Sequence, residues 1–274
     1  MGSNPTPGTK HTFVAATRLC TVARAAADVA KVVELSATGL SPYAIAKITG
    51  LPRETIRGWV VNGAEGVLAA RMLVACDGQR CEVAAAAPHR SYAYLLGQYL
   101  GDGHIATHKR GVHRLVITCC DQYPGIVTEC EAALRLALPR NGVDFRKRQG
   151  VVAVSSYSKH WPCFFPQHGL GRKHERPIAL VDWQRAIVEE NPWPFIRGLI
   201  HSDGCRVINR VHAHGRWYAY PRYFFSNESH DILELFADAC DLVGVEWRYN
   251  RYNSISVARR ASVALLDQFV GPKS

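Results

Sequence analysis

Leu95-Leu96-Gly97-Gln98-Tyr99-Leu100-Gly101-Asp102-Gly103 and Ile196-Arg197-Gly198-Leu199-Ile200-His201-Ser202-Asp203-Gly204 are two versions of one pattern. Each is an apolar run of helical character that stops on Asp-Gly. Asp203 lies 101 positions beyond Asp102, which points to a duplicated unit. A small residue recurs four positions on in each run, Gly97 then Gly101 and Gly198 then Ser202. Residues four apart share a helix face, so both helices carry a strip that admits another backbone closely. Packed through those strips, the pair brings both aspartates to one end. A carboxylate at a helix C-terminus meets the negative end of the macrodipole, a penalty of roughly 0.3–1 kcal/mol that a bound cation reverses. The glycine after each aspartate is expected to be a C-terminal cap with positive φ.

The order of elements after the first run is repeated after the second. Periodicity predicts strands at His104–Thr107 and Arg114–Thr118, a helix at Tyr123–Leu138, a hairpin of Val143–Arg148 with Val151–Ser156, and a short helix from Lys159 to Phe165. The second series is Cys205–Val211, Tyr218–Phe225, a helix at Asp231–Val243, a hairpin within Val245–Val257 and a helix at Arg259–Phe269. Val143-Asp144-Phe145-Arg146 matches Val245-Glu246-Trp247-Arg248, and Arg114 matches Arg222. The expected fold class is therefore α+β, a pseudo-twofold pair of αββαββα halves at 91–167 and 191–274, each with an antiparallel sheet. A linker at 168–190 joins them, opening with the Gly-rich, basic stretch His168 to Pro177.

The paired segments resemble the motifs of LAGLIDADG homing endonucleases in their single-chain form, over roughly residues 91–272. The resemblance implies a saddle of two sheets on double-stranded DNA and a monomer with internal pseudo-twofold symmetry. It implies that Asp102 and Asp203 are the catalytic, metal-binding pair, each serving one strand, with the peptide carbonyls of Gly101 and Ser202 completing the coordination. Mg²⁺ suits such a set because it prefers oxygen ligands, and another divalent cation such as Mn²⁺ is the alternative. A metal held by carboxylates stabilises charge on the phosphorane-like transition state of phosphodiester hydrolysis. The sixth motif position, often acidic in the family, is Leu100 in one copy and His201 in the other. The family often places a basic residue near the strand that carries Arg146 and Arg248 here, and neither is lysine.

Side chains alternate across a sheet, so one face can pack on helices while the other lies along DNA. The DNA-binding candidates of the first half are Lys109, Arg110, Arg114, Lys147 and Arg148, with His104 and His113. Those of the second are Arg206, Arg210, Arg222 and Arg251, with Asn209, Arg216 and Asn250.

Upstream, residues 1–17 mix Gly, Pro, Thr and Asn and are expected to form a disordered tail. Residues 18–62 read as a small all-α domain. A helix at Ala26–Ala37 ends at Gly39, Ser41-Pro42 opens a second that runs to Gly50, and a third begins after Leu51-Pro52. The stretch resembles the helix-turn-helix units of bacterial DNA-binding proteins, which implies that Arg53, Thr55 and Arg57 face the major groove. An ordinary three-helix packing unit is the other reading. Residues 63–90 read as a linker. Within it Cys76 and Cys81, even with His89 nearby, lack the second ligand pair of a zinc motif, so unliganded cysteines are expected.

The 274 residues are 47% hydrophobic, enough for a real core, and 33 Lys and Arg against 23 Asp and Glu leave a formal charge of +10 that attracts polyanions. Nine cysteines without regular spacing fit a reducing cytoplasm better than a disulfide scaffold. No apolar run of 18 or more residues is present, so a soluble, membrane-free protein of the cytoplasm, associated with the nucleoid, is expected. Two functions stay open. One is a site-specific double-stranded DNA endonuclease. The other is a non-catalytic transcriptional regulator, since some bacterial transcription factors also join a LAGLIDADG-like domain to a helix-turn-helix.

Overall fold

The structure is a computed structural model that describes residues 26–61, 81–271 and Lys273. The chain divides into two compact units, Met1–Ala75 and Cys76–Ser274. The predicted tail, Cys76, and positions 18–25 and 62 of the expected helical domain lie outside the described residues.

In the first unit, α1 (Ala26–Ala37), α2 (Pro42–Thr49) and α3 (53–61) enclose Val29, Val32, Ile45, Ile56 and Trp59. Ser41 Oγ accepts from the Ala44 amide at 3.3 Å, Pro42 is the first helical residue, and Gly50 ends the helix at φ 67°. Arg53 and Arg57 are exposed and Thr55 is half-buried.

The second unit opens with α4 (Glu82–Ala85) and α5 (His89–Asp102). Then come β1 (Gly103–Thr107), β2 (His113–Cys120), α6 (Pro124–Ala137), β3 (Val143–Arg148), β4 (Val151–Ser158) and α7 (Trp161–Phe164). After α8 (Asp182–Glu190), the second half runs α9 (Pro192–Asp203), β5 (Gly204–Ala213), β6 (Arg216–Ser226), α10 (His230–Leu242), β7 (Arg248–Arg251), β8 (Ser254–Val257) and α11 (Arg260–Phe269). The sheets are antiparallel with matching orders, β1-β2-β4-β3 and β5-β6-β8-β7. The two αββαββα halves read from the sequence are both present. A single continuous core runs through them from Tyr92 to Val270. Helix α8 sits inside the stretch expected to be linker. Its Gln184 is fully buried and donates to Tyr92 Oη at 2.7 Å, a tertiary role that local sequence does not reveal. Among the described residues no helix is long and apolar enough to cross a membrane.

The expected capping role of the two terminal glycines is not realised. Gly103 and Gly204 have φ of −93° and −97° and lead each helix straight into a strand. They are required for closeness instead: a Cβ on Gly103 would lie 2.5 Å from Tyr99 Cα, and one on Gly204 2.7 Å from Ile200 Cα.

Strand register sorts the basic side chains by face. Leu115, Ile117, Tyr223 and Phe225 point into the core, so the residues between them mark the face turned away from the helices. Arg114 opposes Tyr157, Arg146 opposes Ala153 and Arg148 opposes Val151, all on that outer face, whereas Lys147 opposes Val152 on the inner side. In the second sheet Arg222 and Arg248 are outer. A bulge between Tyr249 and Arg251 sets Arg251 against Ser254, keeping it on the same face. Arg206 pairs with inward-facing Tyr223, and Arg210 lies on the same side four positions on. The expectation that Lys147, Arg206 and Arg210 share the outer face is therefore corrected by register.

Candidate active site

The site begins with the α5–α9 crossing, where the small residues meet. A Cβ on Gly97 would lie 2.5 Å from Phe195 O and 2.8 Å from Leu199 N. One on Gly198 would lie 3.0 Å from Gln98 N and from Gly97 Cα. Backbone thus touches backbone, which only glycine permits. The consequence is at the C-terminal ends, where a Cβ on Gly101 would come within 2.9 Å of Asp203 Oδ2. Asp102 and Asp203, 101 positions apart in the chain, are brought to one place.

Two lysines complete the cluster. Lys173, in a 3-10 turn at Lys173–Glu175, donates from Nζ to the carbonyls of Tyr99 (2.5 Å), Leu100 (2.9 Å) and Gly101 (2.6 Å). Lys273 donates to Ser202 O at 3.1 Å. Each ammonium sits at the negative end of one motif helix, the placement the macrodipole favours. Asn227 Nδ2 donates to Asp203 Oδ2 at 2.7 Å. None of these three residues was singled out from the sequence. The signal that existed was periodic: Lys173 and Lys273 are 100 positions apart, nearly the step of the aspartates. Lys173 falls within the basic linker stretch, and Lys273 stands in the second half without a motif of its own.

Electrostatics reflect the crowding. Asp102 is open to solvent at the edge of the site, yet loss of hydration pushes its carboxyl up to about 6. The charge of Asp203 adds to that rise, and Lys173 and Lys273 oppose it. Burial also raises Asp203, against its Asn227 hydrogen bond and the same lysines. Lys173 is lowered to about 8, chiefly by burial, with both carboxylates resisting. Beside Asp203 a cleft of about 700 Å³ is lined by Gly101, His104, the linker from His168 to His174, and Asn227.

The donor chemistry fits a divalent cation in part. Two neighbouring, mutually repelling carboxylates are suited to one. The carbonyls of Gly101 and Ser202, expected to be further ligands, accept hydrogen bonds from Lys173 and Lys273. Arg146 and Arg248 are exposed on the outer sheet faces, and the basic groups that couple to the aspartates are the two lysines.

The DNA-binding candidates fall into groups. Arg148 and Arg251 are exposed on the outer faces, and Lys109 and Arg110 are exposed in the 3-10 turn beyond β1. Arg114 is half-buried, its Nη2 donating to Ser155 Oγ at 2.8 Å, and Arg222 is half-buried at the matching place, over the Phe224 ring. Arg206 is engaged by a bidentate pair with Asp267 of α11, at 2.7 and 2.9 Å.

Behind the site, His201 is buried, its Nδ1 3.2 Å from Tyr94 Oη and 3.6 Å from Glu129 Oε2. Burial, with the charges of Arg197 and Lys273, lowers its pKa to about 3. The unfolded chain binds this proton below about 6.5 and the folded chain does not, so stability is lost as pH falls from about 6.5 toward 3. The expected slope is up to about 1.4 kcal/mol per pH unit. Urea unfolding at pH 7 and pH 5 checks this against His201→Gln. The effect is refuted if wild type and variant lose stability equally.

No protein-family model matches this chain, and neither does any curated protein. Among solved structures it is similar to mesophilic variants of the homing endonuclease I-DmoI, at 16% identity over 66% of this chain and 96% of that one, with a TM-score of 0.43. I-DmoI in complex with DNA and Mn gives 16% identity, 66% and 97% coverage and a TM-score of 0.46. The LAGLIDADG meganuclease I-AabMI bound to uncleaved DNA gives 10%, 65%, 82% and 0.42. These likenesses are slight, and the chemistry rests on the residues of this chain.

Proposed function

We propose that this chain is a metal-dependent endonuclease that cuts both strands of a specific DNA duplex, working as a monomer through its internal pseudo-twofold. The observation that carries the reading is the meeting of Asp102 and Asp203 at one end of two crossing helices, with an ammonium at each helix end. Asp102 and Asp203 would hold Mg²⁺ or Mn²⁺, which supplies positive charge against the developing phosphorane. Lys173 and Lys273 hold the helix ends and keep further positive charge beside the scissile phosphates. The outer-face arginines bind the backbone, and Arg53, Thr55 and Arg57 of the amino-terminal unit add a second contact with the duplex.

A non-catalytic regulator of transcription is the second reading. What favours it is the hydrogen bonding of the Gly101 and Ser202 carbonyls to lysine, whose ammonium competes with a cation for those oxygens. Incubation with a plasmid library and Mg²⁺ separates the two. Specific cuts that vanish in Asp102→Asn/Asp203→Asn support the nuclease, and tight binding without cleavage under any divalent metal supports the regulator.

Both readings require phosphate contacts from the outer face. Replacing Arg146, Arg148, Arg248 or Arg251 by Gln is expected to reduce the slope of log K against log salt by about 1 each. Arg206→Gln, whose guanidinium is held by Asp267 on the inner face, is expected to leave the slope unchanged. Fluorescence anisotropy across a salt series measures both, and equal losses at inner and outer positions would overturn the assignment of faces.

A further inference from the structure

Away from the aspartates, three soft donors from distant parts of the chain meet. Cys81 stands directly before α4, while His160 and Cys163 flank Trp161 and Pro162 at the start of α7. The two Sγ atoms and a ring nitrogen of His160 all lie within 4.8 Å of one another. We propose that Cys81, His160 and Cys163 form a zinc site that ties the start of the two-sheet unit to the end of its first half.

The spacing is compatible with a metal. With Zn–S near 2.3 Å and Zn–N near 2.0–2.1 Å, two ligands of a tetrahedral zinc stand about 3.6 Å apart. Cys81 Sγ and His160 Nδ1 are separated by 3.7 Å. The frame that holds them is firm. The carbonyl of His160 accepts from the amides of Cys163 (2.8 Å) and Phe164 (3.2 Å), and the fully buried Trp161 donates from Nε1 to Ser156 O at 2.9 Å. His160 N is itself bonded to Ser158 Oγ at 3.1 Å. Ligands fixed before the ion arrives lose little entropy on binding it.

The donor set names the class of ion. Two sulfurs and one imidazole nitrogen, with no carboxylate among the described residues, suit zinc and disfavour magnesium. The site is therefore chemically distinct from the all-oxygen pair at Asp102 and Asp203. Among the described residues three protein ligands are present, one short of a tetrahedral set. His89, the histidine nearest Cys81 in sequence, is engaged elsewhere, with Nδ1 2.8 Å from Glu190 Oε2. The site also has a mechanical consequence. Tyr92 of α5 donates to Phe164 O at 2.6 Å, so an ion joining Cys81 to α7 braces the base of the helix that ends in Asp102.

The test uses the full chain, stripped with a chelator under reducing conditions and then given zinc or cobalt alone. One equivalent of zinc is expected to survive gel filtration in the wild type and to be lost in Cys81→Ser/His160→Gln. Cobalt is expected to give a thiolate charge-transfer band in the wild type only. In the unmutated protein zinc is expected to slow alkylation of Cys81, mapped by mass spectrometry, at least tenfold relative to the exposed Cys120. That readout needs no variant to fold. Equal zinc content in wild type and variant, alkylation of Cys81 unaffected by zinc, or a Cys81–Cys163 disulfide in the protein as isolated would each overturn the proposal.

Discussion

Gly97→Ala/Gly198→Ala is expected to lower the unfolding free energy by about 3 kcal/mol or more. The reason is what each new methyl would meet. On Gly97 it faces Phe195 O, Leu199 N and the Gly198 carbonyl carbon at 2.5–2.9 Å, and on Gly198 it faces the Tyr94 carbonyl oxygen and Gln98 N. These are backbone atoms of helices whose flanking side chains are already buried, from Tyr92 to Leu100 in α5. No flexible side-chain end can swing aside. The helices must separate, and overpacking of this kind costs about 1–3 kcal/mol per site, with more where the core cannot shift. Because both methyls force apart the same crossing, their effects should fall short of a simple sum. A loss of about 3 kcal/mol corresponds to roughly 6–12 °C in Tm for a unit of this size. Gly142→Ala, where a Cβ would meet nothing within 4 Å, is the control and should stay within about 0.5 kcal/mol. Calorimetry decides, and a double variant that loses less than about 1 kcal/mol would show that the crossing is not close-packed.

That crossing was the most legible part of the sequence. Small residues four apart on an apolar run have one economical use in a helix, and two copies at matching distance fix both partners at once. The strands after each motif could be read for a similar reason, since a period of two in β-branched residues is local information. What escaped the sequence depends on contacts between distant segments. Gly103 and Gly204 looked like left-handed caps because Gly after a helix usually is one, but tertiary closeness to Tyr99 and Ile200 governs them instead. Arg206 counted as a DNA contact by charge alone, and only register and Asp267 show where it points. The bulge at Tyr249 and Arg251 changes which face Arg251 takes, and no residue type there announces it. Lys173 and Lys273 reach their helix ends from segments about 70 residues away. Cys81 meets His160 across 79 positions, far beyond the span of a local zinc motif.

Asp102→Asn/Asp203→Asn is expected to abolish cleavage, by roughly 10²–10³-fold or more, while leaving duplex binding intact and the fold slightly more stable. Loss of activity alone would be ambiguous, and the stability shift removes the ambiguity. Both carboxyls are held above their ordinary range, Asp102 at about 6. A raised carboxyl binds its proton more readily folded than unfolded, so its contribution is least favourable above about pH 6 and is relieved as pH falls toward 3.8. For Asp102, open to solvent, screening reduces the shift to about 1 kcal/mol. The Asn variants should therefore melt a few degrees higher than wild type at about pH 7.5, with the difference closing near pH ~4. Single variants divide the chemistry: if each aspartate serves one strand, Asp102→Asn and Asp203→Asn should each convert linear product to nicked circle, on opposite strands. Plasmid nicking with strand-specific end labels reads this directly, and differential scanning calorimetry reads the stability. Linear product from the double variant at the wild-type rate would remove the aspartates from the reaction. A wild type that never cuts, joined to Asn variants that are still stabilised, would instead identify a pair of carboxylates kept at a cost in stability for binding, as the regulator reading requires.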